Sequence, residues 1–156
     1  MARTKIEGII ISYMGNTDGR DTEKQNQPNY VNAALKDGWH VCVTVLFQNG
    51  SFLLPHAPNS AGFGFSPMPP AFFSKPRVWA QALDAVTLNA LCDINAHCFM
   101  WAPEEPTLTS AQFIWTPTGH ALVDRSIACF PENTEHGWLA DAEPAGICTE
   151  YPYQYI

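Results

Sequence analysis

The apolar positions of this chain gather into short runs separated by polar, Pro-rich or Gly-rich breaks. Ile6 to Ser12 (IEGIIIS) reads as a first strand, followed by Gly15 and the polar stretch 16–27. Pro28 then opens a helix over PNYVNAALKDG, with Gly38 as its stop and Tyr30, Ala33, Ala34 and Leu35 as its apolar stripe. The β-branched run 40–48 (HVCVTVLFQ) predicts a buried strand. Asn49-Gly50 followed by SFLLPH is a two-residue hairpin signal. Residues 57–76, rich in Pro, Gly, Ser and Phe, read as a long loop of the kind that forms lids. A short strand is expected at 77–80 and a helix at 83–94, where Leu83, Val86, Ala90, Leu91 and Ile94 fall near helical spacing. Four more short apolar runs follow, at 97–101, 112–116, 126–130 and 145–149.

Strand–helix alternation at the start argues for an α/β domain built on parallel β/α units. Pattern alone leaves a small barrel and an open sheet both available. A full (β/α)₈ barrel usually takes roughly 200–250 residues. In a single domain of 156 residues, several helices would have to give way to loops.

Composition narrows the function classes. With 46% apolar and 15% charged residues, the chain is not a disordered acidic tail. Eight scattered Lys and Arg in a chain of net charge −7 do not supply a broad nucleic-acid footprint. No run approaches the ~20 apolar residues of a membrane span. The opening Met1-Ala2-Arg3-Thr4-Lys5 leads to no cleavage-like site, so a cytoplasmic protein is expected. The five Cys (42, 92, 98, 129 and 148) include no C-x-x-C, and buried free thiols in a reduced compartment are the expectation. His97 beside Cys98 is not a metal motif, because neighbours on a strand point to opposite faces.

The segment IIISYMGNTDGRDTEKQNQPNYVNAALKDGWHVCVTVLFQNGSFLLPH resembles the opening of the glycerophosphodiester phosphodiesterase-like family, the PLC-like phosphodiesterases, in a compact short branch. RVWAQALDAVTLNAL, HCFMW, TLTSAQFIWT, DRSIACFPE and AGICTEYP are similar to the downstream pieces of that branch, so the likeness spans nearly the whole chain. It implies a reduced TIM-type (β/α) barrel with several helices replaced by loops, the Asn49-Gly50 hairpin being an addition at the second strand.

The departures from that pattern are as informative as the matches. Where the family has His-Arg-Gly, this chain has Tyr13-Met14-Gly15, and its Glu-Asn is here Gln25-Asn26. The metal-binding Glu-x-Asp becomes Cys42-Val43-Thr44, and Gly-His-Asp becomes Pro55-His56-Ala57. The branch's His-x-Lys is Trp79-Ala80-Gln81, its Trp-His ending is Met100-Trp101, and its strand-eight Asp is Glu150. A thiol and a hydroxyl cannot cage a hard cation, and a tyrosine is a weak base near neutral pH. Met14 and Gln25 remove both halves of an Arg–Glu pair together, which leaves no orphaned charge. The resemblance therefore implies a site without metal or other cofactor that has exchanged charge for aromatic surface.

Tyr13, Cys42, Thr44, Trp79, Gln81 and Trp101 are then the candidate substrate-binding residues, while Phe47, Phe99 and Trp115 are expected to be core. Glu150 first and Glu132 second are the candidate general bases, both at barrel-rim positions where the alternative is an exposed carboxylate. Gln81 or Tyr13 could donate to developing negative charge. His56 is the third catalytic candidate. A Cys42–His56 dyad is disfavoured, because an Asn49-Gly50 turn pairs Gln48 with Ser51 and so sets His56 opposite Val43. The expected partner is a small aromatic molecule, with no nucleic acid and no membrane; the oligomeric state is left open. The first reading is a repurposed pocket that performs proton abstraction. A ligand-binding pseudoenzyme is the alternative, and residual phosphodiesterase activity through His56 is a weaker third.

Overall fold

The structure is a computed structural model and describes residues 6–56, 64–134, 137–140 and 142–156. It is a mixed α/β fold on one ten-stranded sheet. In chain order the strands are β1 (Ile9–Tyr13), β2 (His40–Gln48), β3 (Ser51–Pro55), β4 (Phe65–Met68), β5 (Val78–Ala82), β6 (Cys98–Met100), β7 (Thr107–Leu108), β8 (Ile114–Thr116), β9 (Ser126–Cys129) and β10 (Gly146–Thr149). Helix α1 (Pro28–Lys36) connects β1 to β2, α2 (Pro70–Phe73) precedes β5, α3 (Ala85–Asp93) connects β5 to β6, and α4 (Gly137–Ala140) lies before β10. Three short 3₁₀ turns cover Thr22–Lys24, Pro131–Asn133 and Pro152–Tyr155.

Parallel pairing runs in the order β6-β5-β2-β1-β10-β9-β8, and β7 is added antiparallel to β8. The long strand β2 joins two parts of the sheet. Its first part pairs with β5, and its end pairs with β3 as Leu46↔Leu53, Phe47↔Phe52 and Gln48↔Ser51. This is the register expected from the Asn49-Gly50 turn. Both turn residues have positive φ (51° and 79°), as a type I′ two-residue hairpin requires. The expected loop 57–76 is only partly a loop. β4 adds to β3, and α2 packs Phe72 and Phe73 into the core. Residues 57–63, the first part of that expected lid-like loop, lie outside the described residues.

Strict alternation divides the strands' side chains between two apolar layers. Val41, Val43, Val45, Val78, Ala80, Ala82 and Cys98 join α1, α2 and α3 on one side. Ile11, Cys42, Trp79, Phe99, Trp115, Ile127, Cys129 and Cys148 form a second, buried layer. That layer draws on each of the seven strands in the parallel pairing order. A third cluster, with Ala128, Ile147, Leu139 and Tyr155, covers the outer face of β9 and β10.

Candidate functional site

The C-terminal ends of the parallel strands carry most of the polar residues singled out from the sequence. Tyr13 ends β1 in the same face as Ile11, and its ring meets the edge of Phe130 with centroids 4.9 Å apart. Burial, with smaller contributions from Cys42, Cys148 and Glu150, raises the Tyr13 phenol well above its ordinary range. Tyr13 is therefore a neutral hydroxyl at working pH and not a base.

Glu150 follows β10, two residues after the inner-layer Cys148, so alternation turns it to Tyr13's side. It is half-buried, and its Oε1 accepts a hydrogen bond from Gln25 Nε2 at 3.3 Å. Among the described residues nothing hydrogen-bonds its Oε2. Gln25 and Asn26 occupy the loop positions noted above, and both are buried. Asn26 is a structural tie. Its Nδ2 donates to Thr44 O (3.0 Å), Thr44 Oγ1 (2.9 Å) and Pro55 O (2.6 Å), while its Oδ1 accepts from Thr44 N at 3.1 Å.

Backbone strain collects at the same place. Met14 (φ 54°), Asn26 (φ 66°) and Phe130 (φ 52°) are in the left-handed region. For Asn this is mild, but for Met and Phe it costs about 1–2 kcal/mol each and has to be held by the surroundings. Such strain concentrates at functional sites.

The remaining candidates are placed differently from one another. Cys42 is buried beneath Tyr13, and its Sγ donates to Gln81 Oε1 at 3.4 Å. Thr44 and Gln81 are buried and already hydrogen-bonded, so both stiffen the rim. Trp79 is 1% exposed and does not reach the cluster around Tyr13 and Glu150. Its ring packs on His97 (4.1 Å between centroids), Phe113 (5.1 Å) and Trp115 (6.0 Å), and its indole N–H donates to His40 Nδ1 at 3.0 Å. These partners sit toward the strands' N-terminal ends, so Trp79 belongs to the core. Trp101 is 47% exposed just beyond β6 and projects to solvent.

Glu132 is held by other partners than those of the Glu150 carboxylate. Its Oε1 accepts from Thr149 Oγ1 (2.8 Å) and Glu150 N (3.4 Å), and its Oε2 accepts from Tyr155 O–H (3.1 Å). Thr149 and Tyr155 lie on the outer side of β10. Glu132 is thus a clasp that fastens the C-terminal turn to the sheet, because alternation turns its partner Thr149 away from Cys148. His56 shares a 2.7 Å hydrogen bond with Ser66 Oγ on the β3–β4 ribbon, and Cys42 bonds Gln81, so the disfavoured dyad does not form. The Tyr13–Phe130 contact and the Gln25–Glu150 bond escaped the sequence reading. No local pattern marks a hydrogen bond spanning 125 residues.

Among the described residues no three His, Cys, Asp or Glu side chains converge as a metal-ligand set, and no helix is long and apolar enough to cross a membrane. Comparisons with protein-family models, with curated proteins and with solved structures each gave no match.

Proposed function

We propose that the seven parallel strands close into a reduced (β/α) barrel whose C-terminal mouth binds a small, flat organic molecule and uses Glu150 to engage its acidic N–H or C–H. Closure is supported by the buried layer to which every one of these strands contributes, and by Phe99 of β6 and Trp115 of β8 stacking at 4.7 Å across the pair not joined by a ladder. The sequence likeness to the compact PLC-like phosphodiesterases supports the same scaffold. At the positions where that likeness implies a hard cation, Cys42 and Thr44 are already hydrogen-bonded to Gln81 and Asn26, and a thiol–hydroxyl pair does not suit such an ion.

One observation carries the functional reading. Glu150 is a half-buried carboxylate near the neutral Tyr13 hydroxyl, with Oε1 held by an amide and Oε2 without a hydrogen-bond partner among the described residues. A carboxylate so oriented in a partly apolar surround accepts a ligand proton donor strongly. Where that donor is the C–H of a benzisoxazole, Oε2 takes the proton, the C–H electron pair completes the C≡N bond, and the ring N–O bond breaks with its pair leaving on oxygen as a phenolate that solvent protonates.

The test is turnover of a nitro-substituted benzisoxazole, together with thermal stabilisation by its ring-opened cyanophenol product. A rate above buffer that falls at least about tenfold in Glu150→Gln but not in Glu132→Gln is expected. Stabilisation without turnover, lost in Glu150→Gln, leaves a binding module. Neither effect in the wild type, or an indifferent Glu150→Gln, overturns the proposal.

A further inference from the structure

We propose that Cys92 and Cys98 form a thiol–disulfide exchange site that reacts with small disulfides and closes into an intramolecular bond. The two sulfurs lie 3.7 Å apart, one on the exposed residue Cys92 at the end of α3 and the other on the buried residue Cys98 at the start of β6. A disulfide needs about 2.05 Å between sulfurs. The gap is small, and the end that must move is the compliant one. Beyond Cys92 the chain leaves the helix through Ile94 and Asn95, the latter at φ 56°, so only the last turn of α3 has to shift. Cys98 is fixed from behind, its N–H donating to Ser110 Oγ at 2.9 Å.

Exposure and burial divide the roles. Only Cys92 among the five thiols is exposed to a reagent. Burial pushes the Cys98 thiol up to about 11, so it is a poor first attacker. Cys92 thiolate therefore attacks one sulfur of the small disulfide. The Cys92 mixed disulfide forms, the reagent's S–S bond breaks, and one small thiol leaves with a proton from solvent. Cys98 then loses its proton to solvent and attacks Cys92 Sγ. The protein S–S bond forms and the second small thiol departs. The protein gives up two electrons and two thiol hydrogens, and the disulfide becomes two thiols. A pair of this kind, one member in solvent and not yet bonded, is the labile sort and not a structural staple. Cys42, Cys129 and Cys148 are all buried, and Cys129 and Cys148 are pushed up further by burial, so they stand aside in the folded protein.

The experiment treats the folded full chain with oxidised glutathione and follows intact mass and a peptide map. The wild type is expected to lose two hydrogens, retain no glutathione and yield a linked Cys92–Cys98 peptide. Cys98→Ser is expected to stop at a stable glutathione adduct on Cys92, and Cys92→Ser to take up neither. Phenylarsine oxide, which needs two neighbouring thiols, supplies a readout free of variants: one equivalent should bind the reduced wild type and block the later loss of hydrogens. A wild type that keeps glutathione on Cys92 without closing, or that binds no arsenical, overturns the proposal. A bond that forms instead among Cys42, Cys129 and Cys148 does the same.

Discussion

His97 illustrates how a single side chain ties pH to stability in this protein. Its ring lies against Trp79, its Nε2 shares a 2.8 Å hydrogen bond with Thr109 Oγ1, and burial lowers it from 6.5 to about 4. The folded chain therefore holds a neutral imidazole where the unfolded chain binds a proton. The stabilisation is complete above the unfolded value of 6.5 and is lost as the pH falls toward about 4. The full shift would correspond to several kcal/mol, but the ring is only half-buried, and solvent screening reduces the expected loss to about 1 kcal/mol. His40 is lowered as well, by burial and by Arg77, and adds in the same direction. Denaturant melts between pH 7 and 4 should show a shallower acid slope in His97→Gln than in the wild type. An unchanged slope would contradict the buried neutral ring. Tyr13 acts with the opposite sign. Its raised phenol favours the fold below its ordinary 10.0, and stability falls as the pH rises above that value. Tyr13→Phe should flatten this alkaline limb in the same melts.

Between residues and the whole molecule, the elements are held by a few side-chain ties that periodicity does not reveal. Thr87 of α3 is fully buried, and its Oγ1 accepts the Phe47 N–H at 2.8 Å, joining the helix to the far end of β2. Thr87→Val keeps the shape but strands that N–H. A loss of about 1–3 kcal/mol in chemical denaturation is expected, against near-neutrality if the bond does not exist. Gly15 joins β1 to α1 in a similar way. At φ +90° a Cβ would sit 2.9 Å from the Tyr30 carbonyl, so Gly15→Ala should cost at least about 1 kcal/mol in the same assay. The elements that escaped the pattern have physical reasons. β4 contains Pro67, which a sheet accepts at its edge and which demotes a strand reading. α2 has four residues and β7 two, too few for either period to register.

At the scale of the whole molecule, Phe99 of β6 and Trp115 of β8 meet as a tilted ring pair 4.7 Å apart, although no ladder joins their strands. Truncating either ring to Ala should cost about 3–5 kcal/mol. The double variant should then fall short of the sum by about 0.5–1.5 kcal/mol, the coupling of touching aromatic rings. Simple additivity would mean that the two strands do not face each other. The same buried layer explains why Trp79 could be placed on its strand from sequence but not assigned its role there. The strand expected at 77–80 contained it, and only the convergence of His40, His97, Phe113 and Trp115 on its ring made its position core.

By itself the sequence determined the first parallel units, the Asn49-Gly50 register and which residues of each strand share a face. These depend on periods of two and 3.6 and on turn stereochemistry, all carried by near neighbours. It took the assembled chain to show that Glu150 meets Gln25 beyond the end of β10 while Glu132 clasps Tyr155, that Trp101 stands in solvent, and that Cys92 meets Cys98. Each of these is set by the direction in which strands and helix ends are brought together, and a local pattern does not encode that direction.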